Sequence, residues 1–267
     1  MPLHEKIAVI TGSTAGIGQS IAEHLASLGA HVVITSRNLE TAEREARKIA
    51  SHGGSATCQC FELENQNSGK ALIDNVLAEH DRLDILINNA ISRPTPLSSE
   101  LMHDFRYEKL HDYITNNITN MLALTLRAYP FLKRTKGSVL NVGSVIINRH
   151  ILGTLLYSIV KGAMTQMTKA LAAEWAQDRV RVNQINAGFV LTDSFQKQFP
   201  AAISQSLTDT YRRHHPIGRV GEPRSIGVLA GHLLSDELAW MTGSVVEMDG
   251  GYSVMGIPNP VQSLIGK

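Results

Sequence analysis

Cysteine is nearly absent from this chain. Only Cys58 and Cys60 occur among 267 residues, too few for a disulfide framework and, with no further ligands nearby at suitable spacing, for a metal site. They alternate in SATCQCFEL, a strand-like run that turns both thiols to one face, so they read as strand thiols in a reducing compartment. A charge excess is lacking too. With 25 basic and 24 acidic side chains the formal net charge is +1, and no footprint for nucleic acid or an anionic membrane is visible. No apolar run approaches the ~18 residues of a spanning helix. The opening MPLHEKIAVITG passes straight into a strand-like run, without the basic segment, apolar core and cleavage site of a secretory signal; a cytoplasmic protein is expected. The eleven histidines form no HExxH or paired ligand set. His214 and His215, before Pro216 at the end of a helical stretch, are expected to be solvent-exposed. Linkers, repeats and low-complexity runs are missing, so residues 1–267 read as one domain, divided into a cofactor half (about 1–143) and a catalytic and substrate half (about 144–267). Its 43% hydrophobic and 18% charged residues suit a buried core.

What is present is an alternation of strands and helices. Lys6 to Ile10 is a short apolar run, TGSTAGIG follows, and helical periodicity runs from about Gln19 to Leu28. HVVITSRN is a second strand, Thr41 to Ser51 a solvated helix, Thr57 to Leu63 a third strand, and Ser68 to Glu79 a helix. LDILINNA, from Leu83, is apolar throughout, as in a parallel sheet covered on both faces. Ser92 to Ser99 is a proline-broken loop before a long helical region reaching about Lys133. GSVLNVGS, a helix ending near Gln177, RVRVNQINAG, a helix from about Glu222 to Ser235 and GSVVEMDGG complete the pattern. The alternation predicts an α/β fold: one Rossmann-like, doubly wound parallel sheet of about seven strands with helices on both faces. Gly12, Asn88 and Ser144 then fall at carboxyl ends of strands, where such folds bind ligands.

The glycines of TGSTAGIG stand between a strand and a helix, the context that gives such a motif meaning. Gly12 permits a sharp turn, Gly16 a close backbone approach, and Gly18 packing of the helix against the strand. Exposed N–H groups and the helix dipole favour a phosphate there. At the end of the second strand, where a carboxylate would hold both adenosine-ribose hydroxyls, Ser36 and Arg37 stand instead. A guanidinium suits a 2'-phosphate, so NADP(H) is expected over NAD(H), which stays possible. Further on, Ser144 precedes Tyr157, and Lys161 lies one helical turn beyond Tyr157, on the same helix face. A free tyrosine titrates near pH ~10. An ammonium about 5 Å away, at an effective dielectric of about 20, stabilises the phenolate by about 3 kcal/mol, bringing the phenol within reach of working pH.

Together TGSTAGIG, NNA from Asn88, Asn117 in the long helix, Ser144, Tyr157-Ser-Ile-Val-Lys161 and MTGSVVEMDGG resemble the short-chain dehydrogenase/reductase family over nearly the whole length. The resemblance implies that Tyr157 is the acid–base group and that Lys161 holds the nicotinamide ribose and tunes the tyrosine. Ser144 would bind the substrate oxygen. Asn117, a better match than Asn116 by its distance to Pro130, would hold a water. Dinucleotide contacts are implied for Gly12, Ser13, Thr14, Gly16, Ile17 and Gly18. Ser36, Arg37, Glu62, Leu63, Asn89 and Ala90 would line the adenosine side, with Gly188, Val190 and Thr192 beside the nicotinamide. Asn88 resembles the residue that braces the central sheet beside the cofactor. A homo-oligomer, tetramer or dimer, is implied as well.

Four positions depart from the family pattern. Ile91 stands for a glycine after NNA, Ala187-Gly188 for Pro-Gly, Asn120 for a helix glycine, and Ala15 for a frequently basic residue. Ile146, Ile147, Leu152, Leu155, Phe189, Phe195 and Phe199 fall in segments that should surround the pocket, suggesting a small apolar carbonyl or alcohol substrate. Arg149 and His150 either meet an anionic group or are exposed loop charges. Three readings follow: an NADP(H)-dependent carbonyl reductase, an NAD-dependent alcohol dehydrogenase, and a catalytically silent dinucleotide-binding scaffold.

Overall fold

The computed structural model describes residues 2–92, 107–197 and 199–256. Its strands are β1 (Ile7–Ile10), β2 (His31–Ser36), β3 (Ser55–Cys60), β4 (Ile85–Asn88), β5 (Ser138–Ser144), β6 (Arg181–Ala187) and β7 (Val245–Met248). Among the described residues they form one sheet in the order β3-β2-β1-β4-β5-β6-β7, parallel at every pairing. The order reverses between β1 and β4, the position at which sheets of this kind bind ligands beyond the carboxyl ends of the strands.

Helices fill both faces because strand side chains alternate. Ala8 and Ile10 of β1 join Ile21 and Leu25 of α1 (Gly16–Ser27), Ala42 and Ile49 of α2 (Leu39–Ser51) and Ile226 of α9 (Pro223–Leu234). Ile7 and Val9 join the opposite cluster, with Leu72 of α3 (Ser68–His80), Leu124 of α5 (Met121–Thr135) and Met164 of α6 (Leu155–Trp175). Before α5 come α4 (Tyr107–Ile114) and a six-residue π-helical turn, Thr115–Asn120. Tyr113, Leu156 and Val160 form a small cluster that docks α4 and the π turn onto α6. Short α7 (Asp193–Gln196) and α8 (Ala201–Arg213) follow β6.

Several boundaries differ from the sequence-based expectation. Helix α1 begins at Gly16, not near Gln19, because the last glycines of the motif are themselves helical. Strand β3 ends at Cys60 instead of running to Leu63, and α6 ends at Trp175, with a 3-10 turn over Ala176–Asp178. His215 corrects the expectation of exposure. It is 2% exposed, its Nδ1 bonds Tyr211 O at 2.6 Å, and its Nε2 accepts from Phe189 N–H at 3.3 Å. His214 is exposed. The expected loop at Ser92–Ser99 lies, beyond Ser92, outside the described residues.

Candidate active site

Tyr157 and Lys161 lie on α6, one turn apart. Lys161 Nζ stands 5.7 Å from the centre of the Tyr157 ring and donates to Val142 O at 2.7 Å. Lys161 is buried and Tyr157 half-buried. Ser144 closes β5, half-buried, with its Oγ accepting Ile146 N–H at 3.3 Å. In the register it pairs with Ala187. Strand β6 therefore runs through Ala187, which also pairs with Met248. The next residue, Gly188, donates its N–H to Met248 O at 3.0 Å.

Asn117 sits in the π turn, 2% exposed. Its amide pairs with the N–H and C=O of one residue, Ser92, as a neighbouring strand would. Oδ1 accepts Ser92 N–H at 2.8 Å, and Nδ2 donates to Ser92 O at 3.0 Å and to Tyr113 O at 2.9 Å. A π turn widens the helix and frees backbone from the regular ladder.

The glycine turn is a cradle with no room for side chains. Gly12 has φ +64°, and a Cβ there would stand 3.2 Å from Ala90 Cα; one on Gly18 would stand 2.3 Å from Gly12 O. Gly16, at φ +57°, lies against Thr192, whose Cγ2 would be 3.1 Å from an added Cβ. No side chain caps α1 and no acidic residue occupies its first turn, so its N–H groups and dipole suit a pyrophosphate. The residues present fit a dinucleotide.

Around this cradle the sequence-predicted contacts divide. Thr14 and Ile17 are half-buried at the turn. Ser13 lies behind it, fully buried: its hydroxyl donates to Ile10 O at 2.8 Å and its N–H to Thr35 O at 3.2 Å. Asn89 also faces inward, with Nδ2 donating to Thr11 O and Gly12 O, both at 2.9 Å. Ala90 N–H donates to Thr11 Oγ1 at 3.0 Å. Asn88 bonds Asn141 and Thr125 through Nδ2. Ser36 is half-buried and Arg37 exposed; among the described residues the Arg37 guanidinium has no ion-pair partner. Glu62 is exposed, and Leu63 is buried with its carbonyl held by Asn120 Nδ2 at 2.8 Å. Val190 bridges to Gly221, and Thr192 caps α7.

Two supports escaped the sequence reading. Thr35 Oγ1 accepts Gly12 N–H at 3.0 Å, and Thr11 Oγ1 takes two N–H groups from the end of β4. Thr11 opens the glycine motif, which was a visible signal; Thr35 carried none. Arg149 is neither an anion clamp nor a free loop charge. Its guanidinium lies 4.9 Å from the Tyr252 ring centre, and Nη1 donates to Tyr252 O at 3.3 Å, so it ties the segment after Ser144 to the C-terminal segment. His150 is exposed. Of the residues expected around a substrate, Ile146 is buried, Leu152 is 99% exposed, and Phe189 stacks on Tyr211 with ring centres 4.0 Å apart and meets Phe195 edge-on at 4.9 Å.

The fold aligns with a short-chain dehydrogenase/reductase from Serratia marcescens BCRC 10948 at a TM-score of 0.84, 24% identity, covering 95% of this chain and 100% of that one. A family model described as Enoyl-(Acyl carrier protein) reductase matches residues 12–253. The chain belongs to the short-chain dehydrogenase/reductase family. Relatives in this family include the oxidoreductase YxbG of Bacillus subtilis (strain 168), 30% identical over 98% of this chain and 96% of that protein. The 3-oxoacyl-[acyl-carrier-protein] reductase FabG of Vibrio cholerae is 32% identical over 94% of this chain and 98% of that protein. Short-chain dehydrogenase/reductases are oxidoreductases that use nicotinamide cofactors. Among the described residues no helix is long and apolar enough to cross a membrane.

Proposed function

We propose that this chain is an NADP(H)-dependent oxidoreductase interconverting a ketone and a secondary alcohol, with Tyr157 as its acid–base group. The observation that carries the reading is the Lys161 ammonium 5.7 Å from the Tyr157 ring, on a helix that begins beside the Ser144 turn. A cation this near the ring favours the phenolate, by about 3 kcal/mol for a charge separation of about 5 Å at an effective dielectric of about 20. The bound dinucleotide supplies the hydride chemistry. The protein's part is to orient the substrate and manage a proton. Ser144 Oγ donates a hydrogen bond to the substrate oxygen, and Tyr157 gives that oxygen its proton in reduction or takes the proton back in oxidation. Asn117, through the opened π turn, offers backbone to a water that returns the proton to solvent. The glycine turn with the start of α1 holds the pyrophosphate. Arg37, exposed and with no carboxylate beside it in sequence, takes a 2'-phosphate.

The aromatic set of Phe189, Phe195 and Tyr211 supports an apolar substrate, and FabG of Vibrio cholerae, whose name states a 3-oxo group, supports a ketone. The test is loss of nicotinamide absorbance with a panel of apolar ketones, NADPH against NADH, with Tyr157→Phe as control. Turnover with NADPH that drops at least about a hundredfold in the variant is expected. Equal turnover in the variant, or consumption of NADH alone, overturns the reading.

A further inference from the structure

A row of buried side-chain amides crosses the sheet beneath the Ser144 turn. It begins at Asn88, whose Nδ2 donates to Asn141 Oδ1 at 2.8 Å. Asn141 Nδ2 in turn donates to Thr168 Oγ1 at 2.8 Å, and that hydroxyl lies 2.9 Å from Gln184 Oε1. Gln184 Nε2 then donates to Asn186 Oδ1 at 2.6 Å. Asn88–Asn141 and Asn141–Gln184 are register pairs of adjacent strands. These four amides are at most 1% exposed. Polar groups so deeply buried are tolerated only where partners replace water, so each amide is fixed by the next.

The row ends on a charge. Asn186 Nδ2 donates to Glu247 Oε1 at 3.0 Å across the β6–β7 register. The same oxygen accepts Asn148 Nδ2 at 2.9 Å. Asn148 lies four residues beyond Ser144, and its N–H donates to Val145 O at 2.9 Å to close the intervening turn. On the other side of Ser144, Gly143 lies flat against the row. A Cβ there would come 2.1 Å from Asn186 Oδ1 and 2.4 Å from Gln184 Nε2. One exposed carboxylate on the edge strand β7 thus grips the turn carrying Ser144 from its far end and, through Asn186, from beneath.

We infer that Glu247 is a positioning residue for Ser144, holding the serine turn in register with α6 through Asn148 and Asn186. The inference rests on Ser144 binding the substrate oxygen. Bonds to a carboxylate are stronger than neutral ones and polarise the amides behind them, so loss of the acceptor frees Asn148 at the far end of the turn and leaves the Asn186 side chain held by Gln184 alone. Alignment errors at a reacting centre fall on the chemical step.

The full chain is compared with Glu247→Ala, Glu247→Gln and Asn148→Ala by amide hydrogen exchange and by ketone reduction. Exchange across residues 143–149 is expected to quicken at least about tenfold in Glu247→Ala while residues 11–18 stay as in wild type. In the same variant kcat falls about tenfold and KM for NADPH stays within about twofold. Glu247→Gln keeps a carbonyl oxygen that accepts both amides and should restore kcat to within about threefold. Asn148→Ala, which leaves the buried row intact, reproduces the kcat loss even if Glu247→Ala fails to fold. Unchanged exchange at 143–149 in Asn148→Ala, or no rescue by Glu247→Gln, overturns the inference. If wild type reduces no ketone, the functional reading fails, and the exchange comparison alone still decides whether Glu247 holds the turn.

Discussion

Asn117 makes three hydrogen bonds through one buried amide, and their loss can be sized. A neutral hydrogen bond contributes about 1 kcal/mol net, so Asn117→Ala should cost about 3 kcal/mol. With 267 residues and an unfolding entropy of about 2.1 cal/mol/K per residue, each kelvin corresponds to about 0.6 kcal/mol, and Tm should fall by about 5 °C. Asn117→Asp should be worse. A carboxylate still accepts Ser92 N–H but faces the Ser92 and Tyr113 carbonyl oxygens with no proton to donate. Its folded-state titration is therefore raised above the unfolded value of ~3.9, and stability is lost as pH climbs through the folded value. Thermal denaturation of both variants between pH 4 and 8 tests this. An Asn117→Ala protein that melts within about 1 °C of wild type, or an Asn117→Asp protein whose Tm does not fall with rising pH relative to Asn117→Ala, refutes the reasoning.

Arg37→Ala should weaken NADPH about tenfold, since a charge-assisted bond at an exposed site lies at the low end of ~1.5–3 kcal/mol, and should leave NADH nearly unchanged; equal losses for both cofactors, in a binding titration, count against a 2'-phosphate site. Gly18→Ala should lower stability by about 1–3 kcal/mol and reduce dinucleotide affinity, because the new methyl meets the Gly12 carbonyl; wild-type melting and binding would exclude the close approach. Burial first, and then His80, whose ring centre is 4.5 Å away, lower the His31 titration, with Glu79 opposing. A folded value below the unfolded ~6.5 gives full stability above that pH and a loss as pH falls from there through the folded value. A His31→Gln melting profile between pH 7.5 and 5 should be flatter than wild type, and parallel curves would refute the assignment.

The sheet was legible because its strands announce themselves. IAVI, HVVITS and ILIN are short apolar runs between glycines and polar turns, and each is almost wholly buried. The start of α1 was not, since glycines that signal a turn are here the first helical residues, preceded by Ala15 with no capping side chain. His215 looked exposed because a pair of histidines before a proline suggests a frayed helix end; its burial depends on Phe189 and Tyr252, remote in sequence. Tyr157 and Lys161 were paired by helical spacing alone, a local rule. The inward turn of Ser13 and Asn89 was hidden because a motif names the residues around a ligand without saying which face the strand. Glu247 was invisible for the same kind of reason: its partners are Asn148 and Asn186, 99 and 61 positions away, brought near it by the packing of β5, β6 and β7 side by side.

The π turn over Thr115–Asn120 has a consequence for how this chain tolerates a change of length. Such a turn holds one residue more than an α-helical turn. Deleting a residue inside it lets α4 and α5 continue as one regular helix with both outward and inward faces kept. The same deletion within α5 rotates everything beyond it by about 100° and swings Leu124 and Leu132 away from the sheet. The six residues that carry Asn117 are therefore a place where this helix can lose a residue and keep its face on the sheet, the cost falling on the Asn117 bonds to Ser92 and Tyr113.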